Sequence, residues 1–339
     1  MDPVAALERV VYLLDRSLAP SPKVQAFLKA IDIVRSLDYD ELDQLHRTGH
    51  LMDLSGIGKS TGGVIGDALD DKPSRYIEEL EATSIIPIGE GNAILELLKG
   101  DCHTHSLWSD GGAPIQKMAE TAAALGHEYM VLTDHSARLT VAHGLDEKRL
   151  SEQLVEVGKI NETLSPFRIL TGMEVDILED GTLDLQNEML AMLDVVVASV
   201  HSKLSMPQDS MTARMERAIE SPNVNILGHC TGRKVPGIGG KGRKESTFDA
   251  MRIFKACEQT NTAVEINCRP ERQDPPDELL AIASDIGCVF VINTDAHAPG
   301  QLEWQPYGCD KAARHNIDPS RIMNTLNADE LLDWTTSNA

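Results

Sequence analysis

The chain of 339 residues is long enough for one large α/β domain and a smaller one, and its 42% apolar content supplies a sizeable core, although aromatics are only 4%. Its 53 acidic against 31 basic residues leave a net charge of -22, which excludes strong sequence-independent binding to duplex DNA. Six cysteines with no Cys-x-x-Cys spacing argue against a disulfide-stapled scaffold, and the absence of a long apolar run in residues 1–30 predicts no signal, no membrane span and a cytoplasmic location.

In chain order, residues 1–92 are expected to form a helical domain. Apolar residues recur at three- and four-residue spacing over residues 4–18 and 23–36, and no alternating strand pattern competes. Within this region lies Leu54-Ser55-Gly56-Ile57-Gly58-Lys59-Ser60. Two glycines one residue apart let the backbone turn sharply between helices, and the second helix then begins with free N–H groups able to hold a phosphate. The stretch resembles the helix-hairpin-helix of X-family DNA polymerases; the alternative is a helical hairpin used only for packing. Residues 1–95 carry 16 acidic and nine basic side chains, a poor balance for DNA, so the expectation is at most weak DNA binding through residues 35–70. The position matching the polymerase lyase lysine is Val64, so no lyase chemistry is predicted.

Residues 86–94, with Pro87, Gly89 and Gly91, read as a linker. Beyond it the pattern changes. Short apolar runs at residues 130–132, 168–170, 195–197, 224–227, 264–266 and 289–292 alternate with helical stretches at 115–125, 148–161, 246–259 and 277–286. Repeated strand-helix units imply a parallel sheet, and seven or eight of them imply a barrel, here expected over residues 97–335.

Nine side chains of metal-binding type fall at the ends of these strands. His103 and His105 flank Thr104, and alternate residues on a strand share a face. Asp110 follows in Ser109-Asp110-Gly111. Then come Thr133-Asp134-His135, Gly172-Met173-Glu174, Ser199-Val200-His201, Gly228-His229 and Thr294-Asp295-Ala296-His297. In a parallel barrel the C-terminal strand ends converge on one face, where active sites are built. His46, His50, His127, His143 and His315 lack this setting and read as structural or solvated.

This set of motifs resembles the polymerase and histidinol phosphatase (PHP) domain, in the branch linked to bacterial X-family polymerases, over residues 97–325. The resemblance implies a distorted (β/α)7 TIM-like barrel with a trinuclear metal site, preceded here by a small all-α domain. It implies that His103, His105, Glu174 and Asp295 hold one ion, that Asp110, His135 and His297 hold a second, and that Glu174, His201 and His229 hold a third, with Glu174 bridging. Independently of the resemblance, mixed imidazole and carboxylate ligands suit Zn²⁺, Mn²⁺ or Fe, and the lack of cysteine ligands argues against a purely structural zinc site. Asp101, Asp134 and Asp176 neighbour these residues and are expected to orient imidazole N–H groups.

The expected reaction is hydrolysis of a phosphate ester by a metal-activated hydroxide. Arg138 and Lys203 follow strand ends and are candidates to grip the phosphate, while Asn267, Arg269 and Arg272 resemble the family's substrate-phosphate segment. Residues 232–244 carry five basic and no acidic side chains and read as a lid over anionic substrate or a plain surface loop. The substrate is either a small phosphomonoester, such as histidinol phosphate or a nucleotide, or the 3′ end of a nucleic acid. The competing expectation is a non-catalytic, metal-stabilised repair scaffold that recruits DNA through the helical region. Only a short linker separates residue 85 from Asp101, so no polymerase palm and fingers are expected between them.

Overall fold

The computed structural model describes residues 1–336, which divide into two compact units with the boundary between Ile86 and Pro87. The first unit is helical: α1 (Pro3–Arg16), α2 (Ser21–Arg35), α3 (Tyr39–Arg47), α4 (Lys59–Leu69) and α5 (Arg75–Thr83). Asp2 caps α1 by accepting the Ala5 N–H, and Pro3 occupies the first turn, where its missing donor costs nothing. Leu7, Val10, Leu13 and Leu14 recur on one face of α1 and are buried against Phe27, Ile31, Val34 and Ile65. Val64 is buried in the same core. Gly56 has φ +108°, and a Cβ there would meet Lys29 Cε at 2.6 Å, so the turn before α4 requires glycine.

The second unit opens with one turn of helix, α6 (Asn92–Leu95), within the expected linker. The Asp310 carboxylate accepts the N–H groups of Gly89 and Gly91 at 2.9 and 2.8 Å and pins that segment. There follow β1 (Gly100–Thr104), α7 (Ile115–Ala124), β2 (Tyr129–Leu132), α8 (Glu147–Leu164), β3 (Arg168–Asp176), α9 (Asn187–Leu190) and β4 (Val195–Ser199). Then come α10 (Gln208–Ile219), β5 (Ile226–Leu227), α11 (Ala250–Gln259), β6 (Ala263–Asn267), α12 (Asp277–Ile286), β7 (Phe290–Asn293), α13 (Gln305–Arg314) and α14 (Ala328–Thr336). The seven strands are parallel and pair in sequence order. A bridge from Thr104 to Ala296, with the Asn293 side chain on the Cys102 N–H, draws β1 and β7 together, giving a nearly closed TIM-like (β/α)7 barrel.

The strand alternation divides two cores. Tyr129, Val131, Leu170, Val195, Val197, Ala263 and Val291 share one cluster with Leu331 and Trp334 of α14. Met130, Leu132 and Ile169 point the other way, into the cluster under α7 and α8. No helix among the described residues is long and apolar enough to cross a membrane.

Two expectations on element limits are corrected. The helix expected from residue 246 begins at Ala250, because Asp249 caps it while the Ser246 N–H serves the preceding loop at Thr231 O. The strand expected at 224–227 contracts to Ile226–Leu227, since the Val224 N–H closes a turn on Ser221 O. Helix α10 is an addition; Met211, Met215 and Ala218 carried its spacing in the sequence.

Candidate metal centre

On five strands the site residues keep the parity of an interior apolar residue, within the strand for Glu174 and Glu265 and just past its end for His135, His201 and Asp295, the last at φ +52°. The interior positions Val131, Leu170, Val197, Ala263 and Val291 lead, two residues at a time, to His135, Glu174, His201, Glu265 and Asp295. The other two strands depart from the rule. The β1–β2 register shifts between Asp101 and Thr104, a bulge that re-aims His103 and His105. Strand β5 ends at Leu227, and at Gly228 the backbone passes so close to β4 that a Cβ would lie 2.3 Å from Ser199 Oγ. His229 therefore leaves the strand and turns into the site, with its N–H held by Glu265 Oε2 at 2.7 Å.

Glu174 is the hub. Its Oε2 lies 3.2 Å from His103 Nε2, 3.5 Å from His105 Nε2 and 2.9 Å from His135 Nδ1. Its Oε1 lies 3.2 Å from His201 Nε2 and 3.0 Å from His229 Nε2. Asp295 Oδ1 stands 3.4 Å from His105 Nε2 and 4.0 Å from His103 Nε2. Asp110 Oδ1 stands 3.5 Å from His135 Nε2 and 3.3 Å from His297 Nε2. All nine sequence-derived candidates thus meet around one centre. Three subsets present ligand atoms within 4.8 Å of one another: His105, Asp110, His135 and His297; His103, His105 and Asp295; and His135, Glu174 and His201.

These groups aim at shared points and not at one another. The buried Nε2 atoms of His103, His105, His201 and His229 and both Glu174 oxygens make no hydrogen bond among the described residues. Buried polar atoms left so are costly, and a set of converging lone pairs is what a divalent cation needs. The residues therefore fit metal ions.

Glu174, Asp295 and His105 are held in the forms that bind cations. Burial alone would raise Glu174, but His103, His135 and His201 hold it well below the usual carboxylate range. Asp295 is likewise buried, and Arg269, His103 and Arg272 keep it well below its ordinary value. Burial and the neighbouring imidazoles of His297 and His135 push His105 well down, leaving a neutral ring with a lone pair to give. Burial pushes His103 down, but the Glu265, Glu174 and Asp295 charges outweigh it and hold the ring well above its normal value.

Glu265 was not singled out from the sequence. Its Oε1 takes His103 Nδ1 at 2.6 Å, which fixes that ring with Nε2 towards Glu174. Within Val264-Glu265-Ile266 it read as one residue of a strand, and only its parity with Asn267 signalled the site. Of the three acids expected to orient imidazoles, Asp176 alone lies beside a ring nitrogen, 3.3 Å from His201 Nδ1, and its Oδ1 accepts the His201 backbone N–H at 3.2 Å. Asp101 is spent on the Thr294 and His103 backbones, and Asp134 on Ser106, Ser109 and Gln153, because both are fully buried beneath the site.

The phosphate candidates separate. Asn267 lies beneath the centre, donating to Glu265 Oε2 and Asp295 Oδ2, both at 3.1 Å. Arg269 contacts His297 Nδ1 at 2.9 Å and Glu271 at 2.8 Å, and lies over the Trp304 ring. Arg272 Nε lies 3.1 Å from Asp295 Oδ2, while its Nη1 has no hydrogen-bond partner among the described residues. Lys203 instead sits at the surface, 3.7 Å from Glu179, and Arg138 is exposed, its backbone N–H on Asp184. A cleft of about 530 Å³, walled by Trp108, His143 and Arg149, is formed by the loops that carry Asp110 and His135.

A barrel with histidines and acids gathered at the C-terminal strand ends defines the class, and residues 101–269 match the PHP domain family: the chain belongs to that family through its barrel. It is 42% identical over 227 residues to the DNA polymerase/3′-5′ exonuclease PolX of Bacillus subtilis, an alignment covering 67% of this chain and 39% of that protein. The likeness supports the branch linked to X-family polymerases, and this chain spans well under half of that relative. A probable phosphatase of Vibrio parahaemolyticus is 25% identical over 240 residues, covering 66% of this chain and 88% of its own. A crystal structure of histidinol phosphate phosphatase from Lactococcus lactis, complexed with zinc, L-histidinol and phosphate, gives a TM-score of 0.45 at 18% identity, over 63% of this chain and 93% of that one.

Proposed function

We propose that the protein is a metal-dependent phosphoesterase. The observation that carries this is Glu174, whose two buried oxygens each face imidazoles of separate strands without hydrogen bonding to them. His103, His105, Glu174 and Asp295 would hold one divalent ion, Asp110, His135 and His297 a second, and Glu174, His201 and His229 a third. Bound there, such ions supply a nucleophile from water at neutral pH and offset charge on the phosphoryl group. Zn²⁺, Mn²⁺ and Fe all suit these ligands.

The chain's own residues divide the remaining work. Asp176 and Glu265 hold His201 and His103 in orientation. Arg272, with a free Nη1 beside Asp295, grips a non-bridging phosphate oxygen. Arg269 fixes His297 through Nδ1, so the opposite nitrogen faces Asp110. The cleft by Trp108 and His143 receives the leaving group. The relatives named as a polymerase-exonuclease and as a phosphatase support an ester of phosphoric acid as substrate.

The test is a metal-supplemented screen of phosphomonoesters beside a 3′-labelled oligonucleotide. Wild-type protein is expected to release phosphate or nucleotide with Mn²⁺ or Zn²⁺, and His103→Ala and Glu174→Ala to release neither. Wild-type protein that holds these metals yet cleaves no ester would refute the proposal.

A further inference from the structure

The basic segment at residues 232–244 is the part of the barrel that the reaction above leaves unused. It is not a loose loop at its base. Lys234 and Arg243 exchange two backbone hydrogen bonds of 2.9 Å and close a small antiparallel hairpin. That base is tied to the segment carrying the site arginines. The Val235 N–H donates to Glu271 O at 2.6 Å, and the Arg233 guanidinium donates to Arg272 O at 3.0 Å and Gln273 O at 2.8 Å.

The fastening brings like charges together. Burial and the facing charges of Arg272 and Arg269 lower Lys234 from its ordinary value, and burial and Arg272 do the same to Arg243. Neither Lys234 nor Arg243 has a carboxylate within 4.0 Å among the described residues. The acids whose charge reaches them, Glu271 for Lys234 and Asp274 for Arg243, are shared with other donors: Glu271 pairs with Arg269, and Asp274 accepts the Thr231 N–H and hydroxyl, while Glu245 pairs with Arg233 and Asp295 with Arg269 and Arg272. In a chain of net charge -22, a cationic corner beside a metal centre, with no carboxylate paired to Lys234 or Arg243, is set up for an anion.

One phosphate at the centre does not account for this corner, because Arg272 already serves it. We propose that Lys234 and Arg243, on the hairpin base fastened to the segment that carries Arg272, form a second anion subsite that binds a phosphate other than the one hydrolysed. The subsite rests on the phosphoesterase reading for its role and narrows the substrate to one with two or more phosphates, such as a nucleoside bisphosphate or the end of an oligonucleotide. It disfavours an aminoalcohol monophosphate, which brings a cation and no second anion.

The experiment reads binding apart from turnover. The full chain is titrated calorimetrically, with chelator present to stop hydrolysis, using thymidine 3′-monophosphate, thymidine 3′,5′-bisphosphate and a thymidine trinucleotide. The bisphosphate is expected to bind about tenfold or more tighter than the monophosphate. That preference should vanish in Lys234→Ala/Arg243→Ala and persist in Lys241→Ala/Lys244→Ala, which removes equal charge from the same hairpin. A trinucleotide matching the bisphosphate assigns the site to nucleic-acid ends, and a weaker one assigns it to free nucleotides; both support the subsite. Equal binding of mono- and bisphosphate by the wild type, or a preference surviving in Lys234→Ala/Arg243→Ala, overturns it. Absence of ester cleavage by the metal-loaded wild type, with the binding preference intact, would refute the phosphoesterase reading and leave the subsite standing.

Discussion

Replacing Glu265 by glutamine tests whether the centre depends on how its imidazoles are held. The carboxylate is fully buried and accepts four hydrogen bonds: from His103 Nδ1 at 2.6 Å, the His229 amide at 2.7 Å, and the Asn267 and Asn293 side chains at 3.1 Å each. Glutamine keeps the shape but turns one acceptor into a donor. If its nitrogen faces His103, the ring proton must move to Nε2, the atom aimed at Glu174 and Asp295, and that lone pair is lost. If the nitrogen faces the other way, it meets the His229 N–H and the Asn267 amide with no acceptor among them. A charge-assisted hydrogen bond is worth roughly 1.5–3 kcal/mol. At about 1.4 kcal/mol per factor of ten, metal binding should weaken about 10- to 100-fold. Competition for Zn²⁺ against a chromophoric chelator measures this, with circular dichroism confirming the fold. A folded Glu265→Gln protein that binds zinc within about twofold of wild type would refute the reasoning.

Three further outcomes are expected. Arg214 is buried and donates to the carbonyls of Ile177, Leu178 and Ser202, tying the end of β3 to the segment after His201; Arg214→Leu should cost about 3 kcal/mol in urea unfolding, and a loss under about 1 kcal/mol would contradict this role. Gly228→Ala forces a methyl group against Ser199 Oγ and should cost about 1–3 kcal/mol while weakening metal binding through His229; an unchanged chelator competition curve would count against the close approach as the reason for glycine. Burial lowers His127 from 6.5 to about 4, so the unfolded chain takes up a proton at higher pH than the folded one. Its contribution is complete above pH 6.5 and is lost as pH falls towards about 4, by roughly 3 kcal/mol at most. His127→Gln should flatten the stability change between about pH 7 and about pH 4.5 by that amount, and parallel wild-type and variant profiles would show that His127 is not its source.

The metal-type residues were legible because alternation and strand ends are sequence-local. Each polar residue followed its own apolar run, and the parallel barrel supplied the convergence. What surrounds them was not legible by proximity in sequence. Asp101 and Asp134 neighbour ligands in the chain, yet each points away from the imidazoles and serves backbone and hydroxyl donors. Glu265 reaches His103 across 162 positions and the His229 N–H across 36, on strands whose order only the folded sheet fixes. Arg138 and Lys203 illustrate the same limit for cations. A long side chain just after a strand end has a choice of solvent or site, and the sequence alone does not decide it; both side chains are exposed in the fold.

The two strands that break the alternation show why nine ligand-type groups can crowd one place. A regular strand presents one inward residue per two positions, so a single strand end cannot bring two neighbouring imidazoles to the same layer. The shift in β1 lets His103 and His105 approach with ring centroids 5.1 Å apart. The early end of β5 lets His229 turn to within 5.4 Å of His201 on the adjacent strand. Both irregularities lean on Glu265, which holds His103 by its ring and His229 by its backbone. One buried carboxylate thus couples the two distortions, and the orientation of ligands on either side of Glu174 depends on a residue outside the ligand set.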